Sequence, residues 1–288
     1  MRFGISLPNN QGVASVRELA TLAREAETLG FSSVWTSEHL FHSSYVEERL
    51  GEKAYHEALV VLTAAAMVTE TVRVVTSVLV LPWHHPVRLA KTVASIDDAS
   101  DGRFILGVGV AITEDEYANL GVAFTNRGRV TDEMLAAMRC LWEEEFPAFE
   151  GEYFRFSGQR CKPHPRQKPL PVYVGGSAAV AIPRANRFGQ GWHPLSQSPN
   201  ALKQAVAEHD ASELIICPRM VIQFREEASP ERPVGDRKTM RGTPDELRDM
   251  VRCFAEAGVS ELVVDPGTGN LDRYRTVMQQ VCDELMEA

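Results

Sequence analysis

The stretch VRVVTSVLVLPWHHPVRLAKTVASIDDASDGRFILGVGV, residues 72–110, decides the fold. It contains an apolar strand, a helix that begins at Pro86, a polar turn and a second apolar strand that ends in Gly-Val-Gly. Apolar strands that alternate with helices of about 10–15 residues are typical of βα units and a parallel sheet. The polar pair at 76–77 interrupts the carboxyl end of the first strand, where a parallel barrel presents groups to a ligand. Two core strands joined by a turn would give the same periodicity.

The rest of the chain repeats this alternation. Strands are predicted at 2–8, 33–37, 72–81, 104–110, 172–175, 191–195, 214–223 and 261–265. Helix start signals with a capping residue occur at Ser15, Ser198 and Thr243. Eight strand–helix units predict one (β/α)₈ TIM barrel over residues 1–288, with the active site at the carboxyl ends of its strands. Residues 146–171, rich in proline and aromatic side chains, are expected to leave the barrel pattern as an excursion.

The composition is that of an ordinary globular protein, since 44% of the 288 residues are apolar. The net charge of −9 argues against a nucleic-acid-binding surface. No apolar run approaches the roughly 18 residues of a transmembrane helix, and no signal-peptide pattern is visible, so no membrane association is expected. The five scattered cysteines predict reduced thiols and a cytoplasmic location.

Glu38-His39 follows the second predicted strand, at the catalytic end of the barrel. A histidine there can act as a general acid or base near neutral pH, and the neighbouring carboxylate could orient it. A lone histidine at a strand end is more often structural, so residue type alone leaves both interpretations open.

Glycines end two other strands. Gly107 and Gly109 are not a dinucleotide fingerprint, because Ile112 stands where a third glycine would fall. Close packing and backbone approach to a ligand both explain them. The Gly-Gly-Ser sequence at 175–177 leads from strand five into a helix, whose unpaired N–H groups attract anions, although an ordinary turn would have the same composition.

Five segments resemble, in order, the bacterial luciferase-like superfamily of flavin- and deazaflavin-dependent oxidoreductases. They are RFGISLP at 2–8, GFSSVWTSEH at 30–39, HPVRLAKTVASIDDASDGRFILGVG at 85–109, LPVYVGGS at 170–177 and the unit at 242–264. Each piece alone is weak, but five in the same order are specific, and they cover nearly the whole chain.

The resemblance implies a flavin-type cofactor and transfer of a hydride. The preferred cofactor is the deazaflavin coenzyme F420, with a small organic molecule as the second substrate and His39 and Glu38 as the catalytic residues. The alternative is an FMN-dependent monooxygenase that uses O₂ and a separate flavin reductase, and a second alternative is a non-catalytic flavin-binding relative. A homodimer is also expected.

The resemblance also implies which residues contact the cofactor. A non-proline cis peptide is expected at Ser77–Val78, beneath the central ring. The phosphate of FMN, or of the F420 tail, is expected at the helix start after strand five. The predicted cofactor-binding residues are Thr76, Ser77, Val78, Gly107, Gly109, Gly175, Gly176, Ser177 and His193.

Two further interpretations are considered. Sugar-phosphate dehydrogenases of this superfamily have a catalytic glutamate directly after strand four, where this chain has Ile112, with Glu114 and Glu116 slightly later. This departure argues against a sugar-phosphate substrate. Histidines at 39, 42, 84 and 85 would allow a metallohydrolase site, but barrel metallohydrolases generally draw ligands from strand one, which has no histidine, so no metal is predicted.

Overall fold

The computed structural model of the protein describes residues 1–227 and 233–286. Its centre is a ring of parallel strands, as the alternating pattern predicted. In chain order the strands are β1 (Arg2–Ser6), β2 (Ser33–Thr36), β3 (Arg73–Thr76, continued by Leu79–Val80), β4 (Phe104–Gly109), β5 (Val172–Gly175), β6 (Gly191–His193), β7 (Ile215–Ile216, continued by Arg219–Phe224) and β8 (Glu261–Asp265).

Hydrogen bonding follows chain order around the ring. The first segment of β7 pairs with β6, and its second segment pairs with β8. Since β8 also pairs with β1, no edge is left open between first and last strands. The short strand Met240–Gly242 extends the sheet beside the end of β7.

Helices cover the outside of the ring. They are α1 (Val16–Thr28), α2 (Ser44–Leu50), α3 (Ala58–Ala66), α4 (Pro86–Ala99), α5 (Glu114–Leu120), α6 (Arg127–Glu143), α7 (Ala178–Phe188), α8 (Pro199–Glu208), α9 (Pro244–Glu256) and α10 (Leu271–Val281). Their apolar stripes and the outward faces of the strands form one continuous core.

The capping predictions are mostly confirmed. The Thr243 hydroxyl accepts from Glu246 N–H, and the Glu246 carboxylate accepts from Thr243 N–H, which makes a capping box. Ser198 caps α8 through Ala201 N–H. Ser15 caps α1, but through Arg17 N–H and not as a capping box.

Some predicted boundaries are wrong. The third strand is broken after Thr76, and the seventh is broken before Arg219 by a proline. Helices α2 and α5 lie in regions expected to be loops. The excursion at 146–171 is confirmed: it contains a small antiparallel hairpin, Phe149–Glu150 with Arg155–Phe156, outside the ring.

The barrel interior is filled in layers, because alternate residues of every strand point inwards. In the amino-terminal layer the Glu261 carboxylate accepts a hydrogen bond from the Ser33 hydroxyl. It also accepts one from the Arg73 guanidinium over 3.4 Å. The middle layer is apolar and consists of Trp35, Val75, Ile105, Tyr173, Cys217 and Val263. The layer at the carboxyl ends of the strands is polar, and it forms the floor of the candidate site.

Candidate active site

Four buried side chains form this floor, which we call the polar layer: Ser77, His193, Arg219 and Asp265. The Ser77 hydroxyl donates to His193 Nε2 over 2.8 Å, while His193 Nδ1 donates to the Cys217 carbonyl over 2.5 Å. Arg219 Nη2 donates to Asp265 over 2.6 Å, and Nη1 lies 3.4 Å from the Ser77 hydroxyl. One hydrogen-bonded layer therefore connects β3, β6, β7 and β8.

His193 is a neutral member of this layer. Burial lowers the pKa of His193 to about 4, and its ring stacks on Trp35 with the centroids 4.5 Å apart. Both ring nitrogens are hydrogen bonded within the protein. His193 therefore contributes to the shape of the floor and cannot release a proton near neutral pH.

His39 lies above the floor and is held by a carboxylate from another part of the chain. Its Nδ1 is 2.7 Å from Oε2 of Glu116, a fully buried residue at the start of α5. Burial acts to raise the pKa of Glu116, but hydrogen bonds from His39 and from the N–H groups of Phe41 and Leu40 outweigh it, so this pKa is lowered. A charged Glu116 requires a hydrogen on His39 Nδ1, which leaves Nε2 to exchange a proton with a ligand.

Glu38 does not orient His39, so that expectation is wrong. Its carboxylate is buried, accepting from Val80 N–H over 2.7 Å and from His84 Nε2 over 2.8 Å. Burial acts to lower the pKa of His84, but the hydrogen bond and charge of Glu38 prevail and raise it. Successive side chains of an extended segment point to opposite sides, which explains why neighbouring residues have separate partners. Glu38 positions the continuation of β3.

Aromatic rings surround His39. The ring centroids of Tyr55, Trp83 and Tyr45 lie 5.7, 6.0 and 6.3 Å from that of His39. The Tyr55 hydroxyl is 2.8 Å from the Ser37 hydroxyl, and burial raises the pKa of Tyr55 to about 12. The mouth of the barrel is thus apolar around the histidine, with neutral hydroxyl groups beside it.

The Ser77–Val78 peptide is cis, as the resemblance implied. Glycines on the neighbouring strands make room for this part of β3. A Cβ on Gly109 would lie 2.5 Å from the Val78 side chain, and one on Gly175 would lie 2.9 Å from it. These two glycines are therefore explained by packing against Val78.

Thr76 and Gly107 were predicted as cofactor contacts, but the structure explains both by their contact with each other. A Cβ on Gly107 would overlap the Thr76 carbonyl oxygen. The Thr76 hydroxyl donates to the Gly107 carbonyl over 2.7 Å and accepts from its N–H over 2.8 Å. Both residues are fully buried between β3 and β4.

The start of α7 is open to solvent. Gly176 and Ser177 are exposed, and the Ser177 side chain makes no capping hydrogen bond. The Gly176 carbonyl accepts from Trp192 Nε1 over 3.0 Å, which fixes the turn. Val180 N–H donates to the Ser177 carbonyl over 3.1 Å, so only the N–H groups before it in the first turn could bind an anion. Anion binding there stays a prediction.

The histidines considered for a metal site have separate partners: His39 pairs with Glu116, His84 with Glu38, and His42 with the Gly51 carbonyl. Within residues 1–227 and 233–286, no group of three or more His, Cys, Asp or Glu side chains is arranged to hold a metal ion. None of the helices in this part of the chain is both long and apolar enough to cross a membrane.

Sequence reasoning missed three residues of this site. Glu116 was noted only as an acidic residue after strand four, while Ile112, at the position of the superfamily glutamate, is exposed. Arg219 and Asp265 carried a usable signal, because each is a charged residue next to an apolar run: Arg219 precedes residues 220–222 and Asp265 follows residues 262–264.

Comparisons with known proteins agree with this fold. The family model described as luciferase-like monooxygenase matches residues 1–213. The chain therefore belongs to the luciferase-like monooxygenase family, which confirms the resemblance read from the sequence.

Three relatives illustrate the range of this family. An uncharacterised protein of Mycobacterium tuberculosis is 33% identical over 189 residues, covering 62% of this chain and 66% of that protein. An F420-dependent glucose-6-phosphate dehydrogenase of Intrasporangium calvum is 33% identical over 183 residues, covering 61% of this chain and 53% of that protein. An FMNH₂-dependent dimethylsulfone monooxygenase of Pseudomonas putida is 29% identical over 189 residues, covering 64% of this chain and 50% of that protein. The matches thus span half to nearly two thirds of these relatives' lengths.

Solved structures share the fold over the whole chain. The monooxygenase RslO1 from Streptomyces bottropensis superposes with a TM-score of 0.85 at 24% identity, covering 100% of this chain and 99% of that one. An F420-dependent secondary alcohol dehydrogenase, in complex with an F420–acetone adduct, gives a TM-score of 0.78 at 18% identity and covers 99% and 98%. Cofactors of both kinds therefore occur among the relatives and neighbours.

Proposed function

We propose that the protein transfers a hydride between coenzyme F420 and a small organic substrate, with His39 moving the accompanying proton. The observation that carries this proposal is the His39–Glu116 pair at the mouth of the barrel. Adding a hydride to a carbonyl carbon, or removing one from an alcohol, requires one proton to move at the oxygen. A histidine with one nitrogen fixed by a carboxylate can perform that transfer.

The residues present fit a phosphate-bearing cofactor of this type. The exposed start of α7, at Gly176 and Ser177, offers N–H groups and the positive end of a helix to a phosphate. Ser77 and Val78 would lie beneath the ring, as the family resemblance implies. F420 supplies the hydride chemistry when it is bound.

The protein's own groups would perform the remaining tasks. Glu116 keeps the hydrogen on Nδ1 of His39, so that Nε2 gives a proton to the substrate oxygen or takes one from it. The rings of Tyr55 and Trp83 next to the His39 ring would exclude water from a bound substrate, which would strengthen its hydrogen bond to His39.

An FMN-dependent monooxygenase with a separate flavin reductase is the second candidate. The sequence similarity to an FMNH₂-dependent monooxygenase, 29% identical over 189 residues, supports it. We propose a homodimer and a cytoplasmic location for either candidate.

Ligand-dependent thermal stability separates the two candidates. A ligand at 100 times its Kd adds about 2.7 kcal/mol to the free energy of unfolding and raises the Tm by several degrees. We expect F420 to raise the Tm more than FMN does, with both cofactors tested in oxidised and reduced forms. A rise with reduced FMN alone would favour the monooxygenase, and a rise without turnover of any substrate would favour a non-catalytic relative.

Replacing Ser177 with Asp is expected to weaken cofactor binding about tenfold, because a carboxylate would face the phosphate at the start of α7. The matched control is Ser177→Asn, because asparagine has the size of aspartate but carries no charge. Fluorescence titration with F420 gives both dissociation constants. Equal affinities for the Asp variant and the wild type would place the phosphate elsewhere, for example on an arginine of residues 155–166.

A further inference from the structure

Arg219 is a charged side chain inside the barrel whose hydrogen bonds are incomplete. Nη2 is paired with Asp265, and Nη1 is 3.4 Å from Ser77. Nε is buried and has no hydrogen-bond partner within the part of the chain that the structure describes. A buried ion pair costs desolvation energy, and an unpaired buried donor adds to that cost. Since Nε is shielded, a ligand would bond to Nη1, whose contact with Ser77 is long at 3.4 Å. A loosely held charged donor at the catalytic end of a barrel points to a ligand.

The pair is within reach of a ligand from the mouth of the barrel. About a tenth of each side chain remains accessible, 10% for Arg219 and 12% for Asp265. The backbone N–H of Gly267 donates to Oδ1 of Asp265 over 2.8 Å, so the carboxylate is held from its other side. Asp265 therefore fixes the guanidinium through Nη2 and leaves the Nη1 donor for a ligand.

The charges around Arg219 favour a neutral ligand over an anion. Asp265 already balances the guanidinium charge. His193 and Tyr55 are neutral near pH 7, because burial lowers the pKa of His193 to about 4 and raises that of Tyr55 to about 12. The carboxylate of Glu116, beside His39, would repel a second anion. The site thus offers strong hydrogen-bond donors without a net positive charge.

The rest of the ligand would meet apolar surface. The aromatic rings of Tyr45, Tyr55 and Trp83 surround His39, and Leu40 and Phe41 are exposed next to it. Rings and aliphatic side chains bind a ligand by excluding water from its apolar body.

We propose that Arg219, held by Asp265, is the specificity determinant of this site and selects a neutral apolar ketone, or the alcohol formed from it. The ketone oxygen would accept a hydrogen bond from the guanidinium, close to the proton-transferring His39. This inference rests on the proposed function in taking the mouth of the barrel as the substrate site.

Three probes of similar shape test the selection. Acetophenone is the neutral ketone, ethylbenzene lacks the oxygen, and benzoate carries a full negative charge. Their affinities for the full chain can be measured by ligand-detected NMR, without cofactor and with an excess of whichever of F420 and FMN the protein binds. A hydrogen bond to a charged donor corresponds to about 10- to 100-fold in affinity, so acetophenone is expected to bind at least about tenfold tighter than each other probe.

The double variant Arg219→Met/Asp265→Asn removes both charges together and leaves no lone buried ion. We expect it to bind acetophenone and ethylbenzene with affinities equal within about threefold. Arg219→Lys keeps the ion pair but loses the planar fork, so it should fold even if the double variant does not, and it should reduce the ketone preference. The matched control is Arg184→Met/Asp132→Asn, which removes an ion pair between α7 and α6. It should leave the preference intact.

Tighter binding of benzoate, no binding of any probe, or an unchanged ketone preference in both Arg219 variants would overturn the proposal. So would a loss of cofactor affinity in the variants without a change in probe preference, since Arg219 would then serve the cofactor. A ketone preference in a protein that binds neither cofactor would support this inference and reject the proposed function. Hydride transfer from F420 without a ketone preference would support the proposed function and reject this inference.

Discussion

Replacing His39 with Asn is expected to slow hydride transfer by about 10²–10⁴-fold, the usual contribution of a positioned acid or base. Asparagine has a similar volume and can still form a hydrogen bond with Glu116, but it cannot carry the proton. Cofactor affinity should change far less, because the start of α7 is unaltered. Stopped-flow oxidation or reduction of the bound cofactor with a competent substrate measures the rate, and a titration measures the affinity.

The pH profile separates a proton-transferring role from a structural one. The pH dependence of the rate is expected to differ between the wild type and His39→Asn, because asparagine cannot gain or lose a proton. His42→Asn is the matched control, because His42 is exposed in the same loop and contacts the Gly51 carbonyl and Glu47 instead of Glu116. A His39→Asn enzyme with the wild-type rate and pH profile would make His39 a structural residue.

Replacing Glu116 with Gln is expected to slow hydride transfer by about 10²-fold. Since the pKa of Glu116 is lowered in the folded protein, its carboxylate stays charged throughout the range in which the rate is measured. A neutral amide does not fix the hydrogen on His39 Nδ1, because its own N–H group can donate to that nitrogen instead.

The substitution is conservative for the fold. The remaining amide oxygen can still accept from the N–H groups of Leu40 and Phe41, which Glu116 Oε1 binds at 2.6 and 3.1 Å. Glu114→Gln is the control, since Glu114 is exposed on the same helix turn. A Glu116→Gln enzyme with the wild-type rate would mean that Glu116 only supports the loop, and that its charge does not act on His39.

The sequence by itself determined the architecture and the position of the proton-transferring candidate. Strand and helix periods, caps such as Thr243 and the order of the units are local properties, so they can be read without knowing what packs against what. The placement of His39 just after β2 followed in the same way, because the carboxyl ends of parallel strands meet at one face. The open start of α7 at Ser177 is also local.

Only the tertiary structure decided which groups meet at that face. The partner of His39 is Glu116, 77 positions away, while adjacent Glu38 turns to His84. Arg219 meets Asp265 only because closure of the ring places β7 beside β8. The physical reason is that ion pairs, glycine contacts and burial depend on strand register and on the path of α5. Local sequence specifies only the type, the ends and the order of the helices and strands.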